Sequence, residues 1–363
     1  MSGTSLDGID AVLANVPASG GLSVRAHIHL PFPAALRAEL LALNAPGDNE
    51  LHRAALAANA LSRQYADVVA LLLNGAGISA TAVRALGAHG QTVRHRPGEF
   101  DGCGYTLQLL NPALLAELTG IDVVADFRSR DLAAGGQGAP LVPAFHRALF
   151  ARPGETIAVL NLGGIANLTV LGADGTTLGF DCGPANALMD HWCQQQRSRD
   201  YDEAGAWAAS GRVQQPLLAS MLAEPYFTLP PPKSTGRDLF NPRWLAARLE
   251  SNPAPSAGDV QATLAELTAR TCADAMERHA AAARELLVCG GGAFNAHLMQ
   301  RLAALLPACR VQTTDVRGLP ASQVEAAAFA WLASAHCDRL PGNLPSVTGA
   351  AGPRVLGALY PAG

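Results

Sequence analysis

Apolar positions along this chain change their spacing several times, and each change marks an element. Over residues 9–16 they alternate, as on a strand with one buried face. Together with the glycine-bearing turn before them, residues 1–15 read as strand, tight turn, strand. Residues 34–44 and 51–76 switch to helical spacing and are rich in Ala and Leu. Residues 85–90 read as a strand running into a loop. Residues 111–119 read as a short helix, with Asn111 as cap and Pro112 in the first helical position. A buried strand over 121–125 ends at Asp126. The glycines of 133–140 tolerate backbone angles that other residues do not, which makes this stretch the candidate hinge. A helix follows over 141–150.

The second half repeats the theme. Residues 156–160 and 166–170 read as strands around a turn at 161–165, and 177–181 is a short strand that delivers Asp181 to the turn before a helix. A long Ala-rich helix covers 260–283. The strand 286–289 runs into three glycines, and Asn295 precedes a helix through Leu306. A last helix over 323–335 is expected to cross back between lobes. Strands alternating with helices predict an α/β architecture. Two strand–turn–strand units with polar, glycine-rich turns suggest two related lobes.

Length agrees, because 363 residues exceed the roughly 250–300 at which single cores stop growing. Hydrophobic content of 49% with 15% charged residues excludes a disordered chain. A net charge of −4 and the lack of a basic groove speak against nucleic acid as partner. Seven cysteines without paired spacing suit reduced thiols of a cytoplasmic enzyme. No zinc-type spacing is present, the N-terminus does not read as a signal peptide, and no apolar run reaches the roughly 18 residues of a membrane span. The oligomeric state stays open, a homodimer included.

Four segments have the chemistry of a nucleotide-using enzyme. In residues 3–10, GTSLDGID, the backbone of Gly3, Thr4, Ser5, Leu6, Asp7, Gly8, Ile9 and Asp10 forms a small hydroxyl-rich turn able to approach phosphate oxygens. Asp7 is the candidate to hold Mg2+ through water, since magnesium keeps most of its waters. Asn161, Gly163, Gly164 and Asn167 offer a second such turn, and both are equally what a plain hairpin turn looks like. Gly290, Gly291 and Gly292, with Asn295, could lie flat against an adenosine. They make neither a Walker loop, since no Lys-Ser/Thr follows, nor a dinucleotide fingerprint, since that pattern fails at Asn295. Asp181, at a strand end before Gly183-Pro184, stands where α/β enzymes place cleft residues, though turn aspartates sit there too.

A polar set completes the candidates. His89, Gln91, Arg128, Arg130 and Gln137 lie in loops that could bind a sugar, and an arginine can grip an acidic arm with two hydrogen bonds. Lys233 and Arg237 form a further cation-bearing loop, and Glu325 joins the substrate candidates. The alternative is solvated loops with local ion pairs. His146, His191 and His297 fall on predicted helices and read as structural.

The order of these blocks is more specific than any one of them. GTSLDGID, GAHGQTVRHRP, ADFRSRDLAAGGQGAPLVPAFH, LNLGGIANLT, FDCGPANALMD, PPKSTGRDLFN and CGGGAFN, covering residues 2 to about 335, resemble the anhydro-N-acetylmuramic acid kinase family. The resemblance implies a two-lobed actin-like ATPase fold of duplicated ribonuclease H-like lobes around a central nucleotide cleft. Lobe I would be 1–138 with about 336–363, and lobe II 139–335. It implies ATP with Mg2+, and hydrolytic opening of a 1,6-anhydro sugar coupled to phosphorylation of O6 in cell-wall recycling. By motif, residues 3–10 match the first phosphate loop, Asp181 the catalytic aspartate and residues 290–292 the adenosine loop. Relatives usually carry an apolar strand ahead of the first motif, where this chain has only Met1-Ser2. Cys182 and Ala185 stand where the family usually has Thr and Gly. A kinase of the same fold for another sugar, or a non-catalytic ATP-binding regulator, are the competing readings. The KSTGR and GGQGAPL blocks disfavour the first, and retention of Asp7 and Asp181 the second.

Overall fold

A computed structural model describes the whole chain except residues 4, 18–20, 237 and 253–255. The contacts divide it into two units, Met1–Leu149 with Gln323–Gly363, and Phe150–Ser322. These divisions differ from 138/139 and 335/336 for a packing reason. The helix Val142–Phe150 places Ala144 against Leu344 and Val347. The helix Val324–Cys337 packs Phe329, Leu332 and Ala333 on Val124, Phe127 and Leu141. Each helix buries apolar residues in the first unit, and all but Phe150 of the two belong to it.

In the first unit the strand Gly8–Asn15 pairs antiparallel with Ser23–Pro31. Among the described residues of 1–7 none is in a strand, where the sequence predicts one. Met1 instead exchanges two backbone hydrogen bonds with Asp10, at 2.7 and 2.9 Å. The 27-residue helix Glu50–Ala76 presents Leu61, Tyr65 and Val68 to Leu6, Ile9 and Leu40, which form one core. Asn111 does cap the helix Pro112–Thr119, accepting from the Leu114 amide at 3.0 Å. A small sheet orders Ala358–Tyr360, Val123–Ala125 and Leu86–Gly87. A Cβ on Gly87 would fall 2.1 Å from the Phe329 carbonyl oxygen, so only glycine lets this strand approach the helix Val324–Cys337.

The glycine run 133–140 is stitched down within the first unit, a departure from the expected hinge. Asp131, fully buried, accepts from the Gly138 amide (2.8 Å), Asn343 Nδ2 (2.7 Å) and Thr348 Oγ1 (2.8 Å). The Gln137 amide donates to the Thr348 carbonyl at 2.7 Å. A Cβ on Gly136 would lie 2.2 Å from Asp131 Oδ2. The glycine there allows close packing.

The second unit is a five-stranded sheet in the order Arg310–Thr313, Glu285–Cys289, Ile157–Leu162, Ile165–Leu171, Thr177–Pro184. The first three are parallel and the last three antiparallel neighbours. Glu285–Cys289 and Ile157–Leu162 are buried along their whole length, as strands covered on both faces must be. The mostly buried helix Ala257–His279 packs on strands Ile165–Leu171 and Thr177–Pro184. These strands reach further into the motifs than the apolar alternation predicts. The turn shrinks to Gly163-Gly164, and Asn161 and Asn167 face each other across the ladder. Among the described residues no helix is long and apolar enough to cross a membrane.

Candidate active site

Strand alternation decides what surrounds Asp181. On Thr177–Pro184 the side chains of Phe180 and Cys182 leave one face, and Asp181 leaves the other. A register shift between Ala166 and Asn167 sets Asn167 opposite Asp181, the kind of bulge that re-aims a side chain beside an active site. Asn167 Nδ2 donates to Asp181 Oδ1. The Thr235 amide donates to Oδ2 at 2.8 Å. The backbone of Asp181 is held as well: its amide donates to the Lys233 carbonyl at 3.2 Å, and its carbonyl accepts from Tyr226 Oη at 2.8 Å. Behind Asn167, Asn161 Nδ2 donates to Asn167 Oδ1 at 3.4 Å, and the Cys289 thiol approaches Asn161 Oδ1 at 3.8 Å. A carboxylate with donors on both oxygens and its backbone held at both ends is fixed in one orientation.

The three glycines beside this network have separate reasons to be glycine. Gly290 has a φ of +80°, and its Cβ would fall 2.4 Å from Asn161 Oδ1. A Cβ on Gly292 would meet Leu162 Cβ at 2.5 Å. Gly291 alone faces room, its nearest neighbour being Asn186 Nδ2 at 3.6 Å, and Gly163 is similarly open. Gly164 accepts the amides of Ala185 (3.0 Å) and Ala187 (3.1 Å), and Gly163 that of Asn186 (3.0 Å). Asn295 spends its side-chain oxygen as a helix cap, accepting from the Leu298 amide at 3.0 Å. Gly291 is thus the exposed glycine of the three, with Gly290, Gly292 and Asn295 shaping the loop beneath it.

Lys233 turns away from the Asp181 carboxylate. Its Nζ donates to the carbonyls of Tyr226 (3.2 Å) and Phe227 (3.5 Å) and lies 4.7 Å from the centre of the Tyr226 ring and 5.8 Å from that of Phe180. That is the Phe180–Cys182 face of the strand. Burial pulls its pKa below the usual lysine value. The sequence points to the cation of KSTGR as a substrate group; toward Asp181 itself the loop offers the amide of Thr235. Tyr226 was missed altogether. Its signal is slight, a tyrosine near the PPKSTGR run. Arg237 and Thr4 lie outside the described residues.

A second polar set gathers in the first unit around Ser2 and Gly3. Gln91 Nε2 donates to the Gly3 carbonyl at 3.0 Å, and Ser2 Oγ bonds the Gly90 carbonyl and Tyr65 Oη, each at 3.1 Å. His89 Nδ1 donates to the Gly90 carbonyl at 2.7 Å, and its Nε2 accepts from Arg128 Nη2 at 2.9 Å. Burial, then the Arg128 charge, holds the His89 pKa well below the usual histidine range. The neutral imidazole thus fixes the arginine, whose Nη1 also donates to the Gly138 carbonyl at 2.7 Å. The Glu325 carboxylate lies about Gly3, 4.0 Å from where a Cβ would be. Gln91 Oε1 is buried without a hydrogen-bond partner among the described residues. Gln137 gives its amide to Thr348, and Arg130 is exposed on the short helix Ser129–Leu132.

The GTSLDGID run divides in its own way. Leu6 and Ile9 point into the core. A Cβ on Gly8 would strike the Leu30 carbonyl oxygen at 2.3 Å. Asp10 is bracketed by His27 (3.0 Å) and His29 (3.3 Å). Gly3, Ser5 and Asp7 remain for a ligand. Asp7 is exposed and accepts from Ser5 Oγ at 2.8 Å. One exposed carboxylate with a hydroxyl beside it fits a magnesium held through its waters. Among the described residues no cluster of three or more His, Cys, Asp or Glu could grip a metal directly.

The family model described as anhydro-N-acetylmuramic acid kinase matches residues 1–362. A relative of that name from Variovorax paradoxus is 64% identical, covering 100% of this chain and 98% of its own. One from Cupriavidus pinatubonensis is 62% identical, covering 99% and 97%. Similar solved structures are more distant. Component A of (R)-2-hydroxyglutaryl-CoA dehydratase from Acidaminococcus fermentans is 10% identical with a TM-score of 0.42, covering 88% of this chain and 95% of its own. A ROK hexokinase from Thermus thermophilus is 15% identical with a TM-score of 0.34, covering 90% and 100%.

Proposed function

This chain belongs to the anhydro-N-acetylmuramic acid kinase family, and from that premise we propose that it uses ATP to open the 1,6-anhydro ring of anhydro-N-acetylmuramic acid and to phosphorylate O6. The product is N-acetylmuramate 6-phosphate, an intermediate of cell-wall recycling. The observation that carries the reading is the Asp181 carboxylate, buried, oriented on both oxygens and anchored through its own backbone.

Asp181 takes the proton of a water molecule as that water's oxygen bonds to C1. The C1–O6 bond breaks, O6 takes the γ-phosphoryl group, and ADP leaves. Water is a weak nucleophile, and a positioned base of this kind contributes about 10²–10⁴ in rate. In the second unit Gly291 and Gly163 leave space for a nucleotide; in the first, Ser5 and Asp7 have the hydroxyl and carboxylate suited to phosphate and a water-held magnesium. When bound, the magnesium neutralises phosphate charge. His89, Gln91, Arg128 and Glu325 are the groups for the sugar, with Arg128 matched to its acidic lactyl arm. Arg130 is a weaker candidate for that arm, since it is exposed. All seven cysteines are free thiols, in keeping with a cytoplasmic enzyme.

Reaction in ¹⁸O-water tests the coupling. The label is expected on C1, read before the anomeric hydroxyl exchanges, with none in the new phosphate ester. Label in inorganic phosphate, with no phosphorylated sugar, would mean plain ATP hydrolysis and would overturn the reading.

A further inference from the structure

We infer that Lys233 is a positioning residue for Asp181, acting from the far side of the strand without touching substrate. The inference rests on Asp181 being the base of the proposed reaction. Its ground is a closed circuit of contacts through three segments. Lys233 Nζ donates to the carbonyls of Tyr226 and Phe227 in the turn Pro225–Thr228. Tyr226 Oη donates to the carbonyl of Asp181 at 2.8 Å. The amide of Asp181 donates to the carbonyl of Lys233 at 3.2 Å, and two residues on, the Thr235 amide reaches the carboxylate at 2.8 Å. The lysine side chain thus pins its own loop to the turn that holds the catalytic strand, and that loop supplies the Thr235 amide to the carboxylate.

The surroundings favour a clamp over a substrate contact. The ammonium lies over the Tyr226 ring and near that of Phe180, so it gains cation–π attraction as well as two carbonyl acceptors. Arg278 Nη1 shares the Phe227 carbonyl at 3.0 Å. The cavity beside Lys233, lined by Phe180, Cys182, Phe227, Asp274, Arg278 and His279 among others, holds about 10 Å³, room for one water and no sugar. With the lysine gone, the 233–235 loop loses its anchor and the Thr235 amide drifts from the carboxylate. A base moved by a fraction of an ångström loses rate while the groups that bind substrate stay in place.

The test is steady-state kinetics of Lys233→Met, whose thioether fills the same space between the rings, with Lys233→Arg as rescue. The expectation is a kcat lowered roughly 10–100-fold, as for removal of an outer positioning group, with KM for the sugar and Kd for ATP within about threefold, and a smaller kcat loss for arginine, which keeps the charge but is bulkier. A raised KM at normal kcat would make Lys233 a substrate contact and overturn the inference. Unchanged kinetics would overturn it as well. If Lys233→Met does not fold, Tyr226→Phe breaks the same circuit at one hydroxyl and is expected to lower kcat in the same selective way. No kcat loss there would equally overturn it. Asp181→Asn, measured alongside, separates the two readings: if that variant keeps full kcat, the base assignment has failed, whatever Lys233 does.

Discussion

Asp131 in one unit and Asp181 in the other hide their carboxylates from water, at 0% and 5% exposure, and the donors around them differ in kind. Asp131 draws Asn343 and Thr348, more than two hundred residues away in sequence, onto the glycine loop at Gly138. The Gly136 backbone presses against it so closely that no Cβ would fit. Asp181 takes its donors from a neighbouring strand and a nearby loop, and the same loop also holds its backbone. One carboxylate gathers distant segments and is sealed by them; the other is itself held in place by its surroundings. Burial of an aspartate therefore says little about its use until the direction of support is known.

The comparison is tested most severely by Asp181→Asn. A fall in kcat of about 10²–10⁴, roughly 3–5 kcal/mol, is expected. The substitution is not isosteric in its hydrogen bonding, because an amide nitrogen would face the donor of either Asn167 or Thr235. A drop in melting temperature should accompany the lost rate, and saturating substrate should restore none of the rate.

Asp131→Asn should cost stability and spare the rate. An amide there faces the Gly138, Asn343 and Thr348 donors and loses charge-assisted bonds, so a stability loss of about 3 kcal/mol is expected in denaturant titration. A rate loss as large as that of Asp181→Asn, at unchanged stability, would break the distinction between the two.

Acid should sharpen the contrast between the units. Burial lowers the pKa of His146 to about 3 and that of His95 to about 4, both in the first unit. The unfolded chain protonates these rings near pH 6.5 and the folded chain does not, so it binds more protons when unfolded. Stability therefore falls as pH drops below 6.5, and the loss continues until the folded pKa is reached. For His146 alone this is about 2 kcal/mol between pH 7 and pH 5. His146→Phe should flatten that part of the dependence, and hydrogen exchange should show the first unit loosening first.

The smallest effect distinguishes two adjacent glycines. Gly291→Val should weaken ATP binding by about tenfold, near 1.4 kcal/mol, with the fold intact. Gly292→Val should lower stability instead, because its side chain collides with Leu162. Calorimetry and thermal melts of the pair decide this, and equal melting losses would remove the case for Gly291 as the ligand-facing glycine.

The sequence showed what is local and hid what is distant. Asn111 and Asn295 cap their helices through amides three residues on, and a short window is enough to see that. The strands around Asp181 were legible from alternation, although their ends ran further than the apolar positions did. The glycine run 133–140 looked like a hinge because glycine freedom is visible in a string of letters, while Asn343 and Thr348, which remove that freedom, are not. Lys233 shows a related limit. A charge in a loop suggests a ligand, and only the fold shows that two carbonyls and two rings receive it. Thr235 matters through its backbone amide, which no side-chain reading could single out.

The first unit is made of two stretches of chain, and this orders its assembly during synthesis. Residues 150–322 are continuous and can close their sheet as soon as they leave the ribosome. The first 149 residues emerge earlier, yet their sheet lacks the strand Ala358–Tyr360 and Asp131 lacks Asn343 and Thr348. The half translated first is therefore the half completed last, and a ribosome that stalls before residues 323–363 leaves an unfinished first unit tethered to a finished second one.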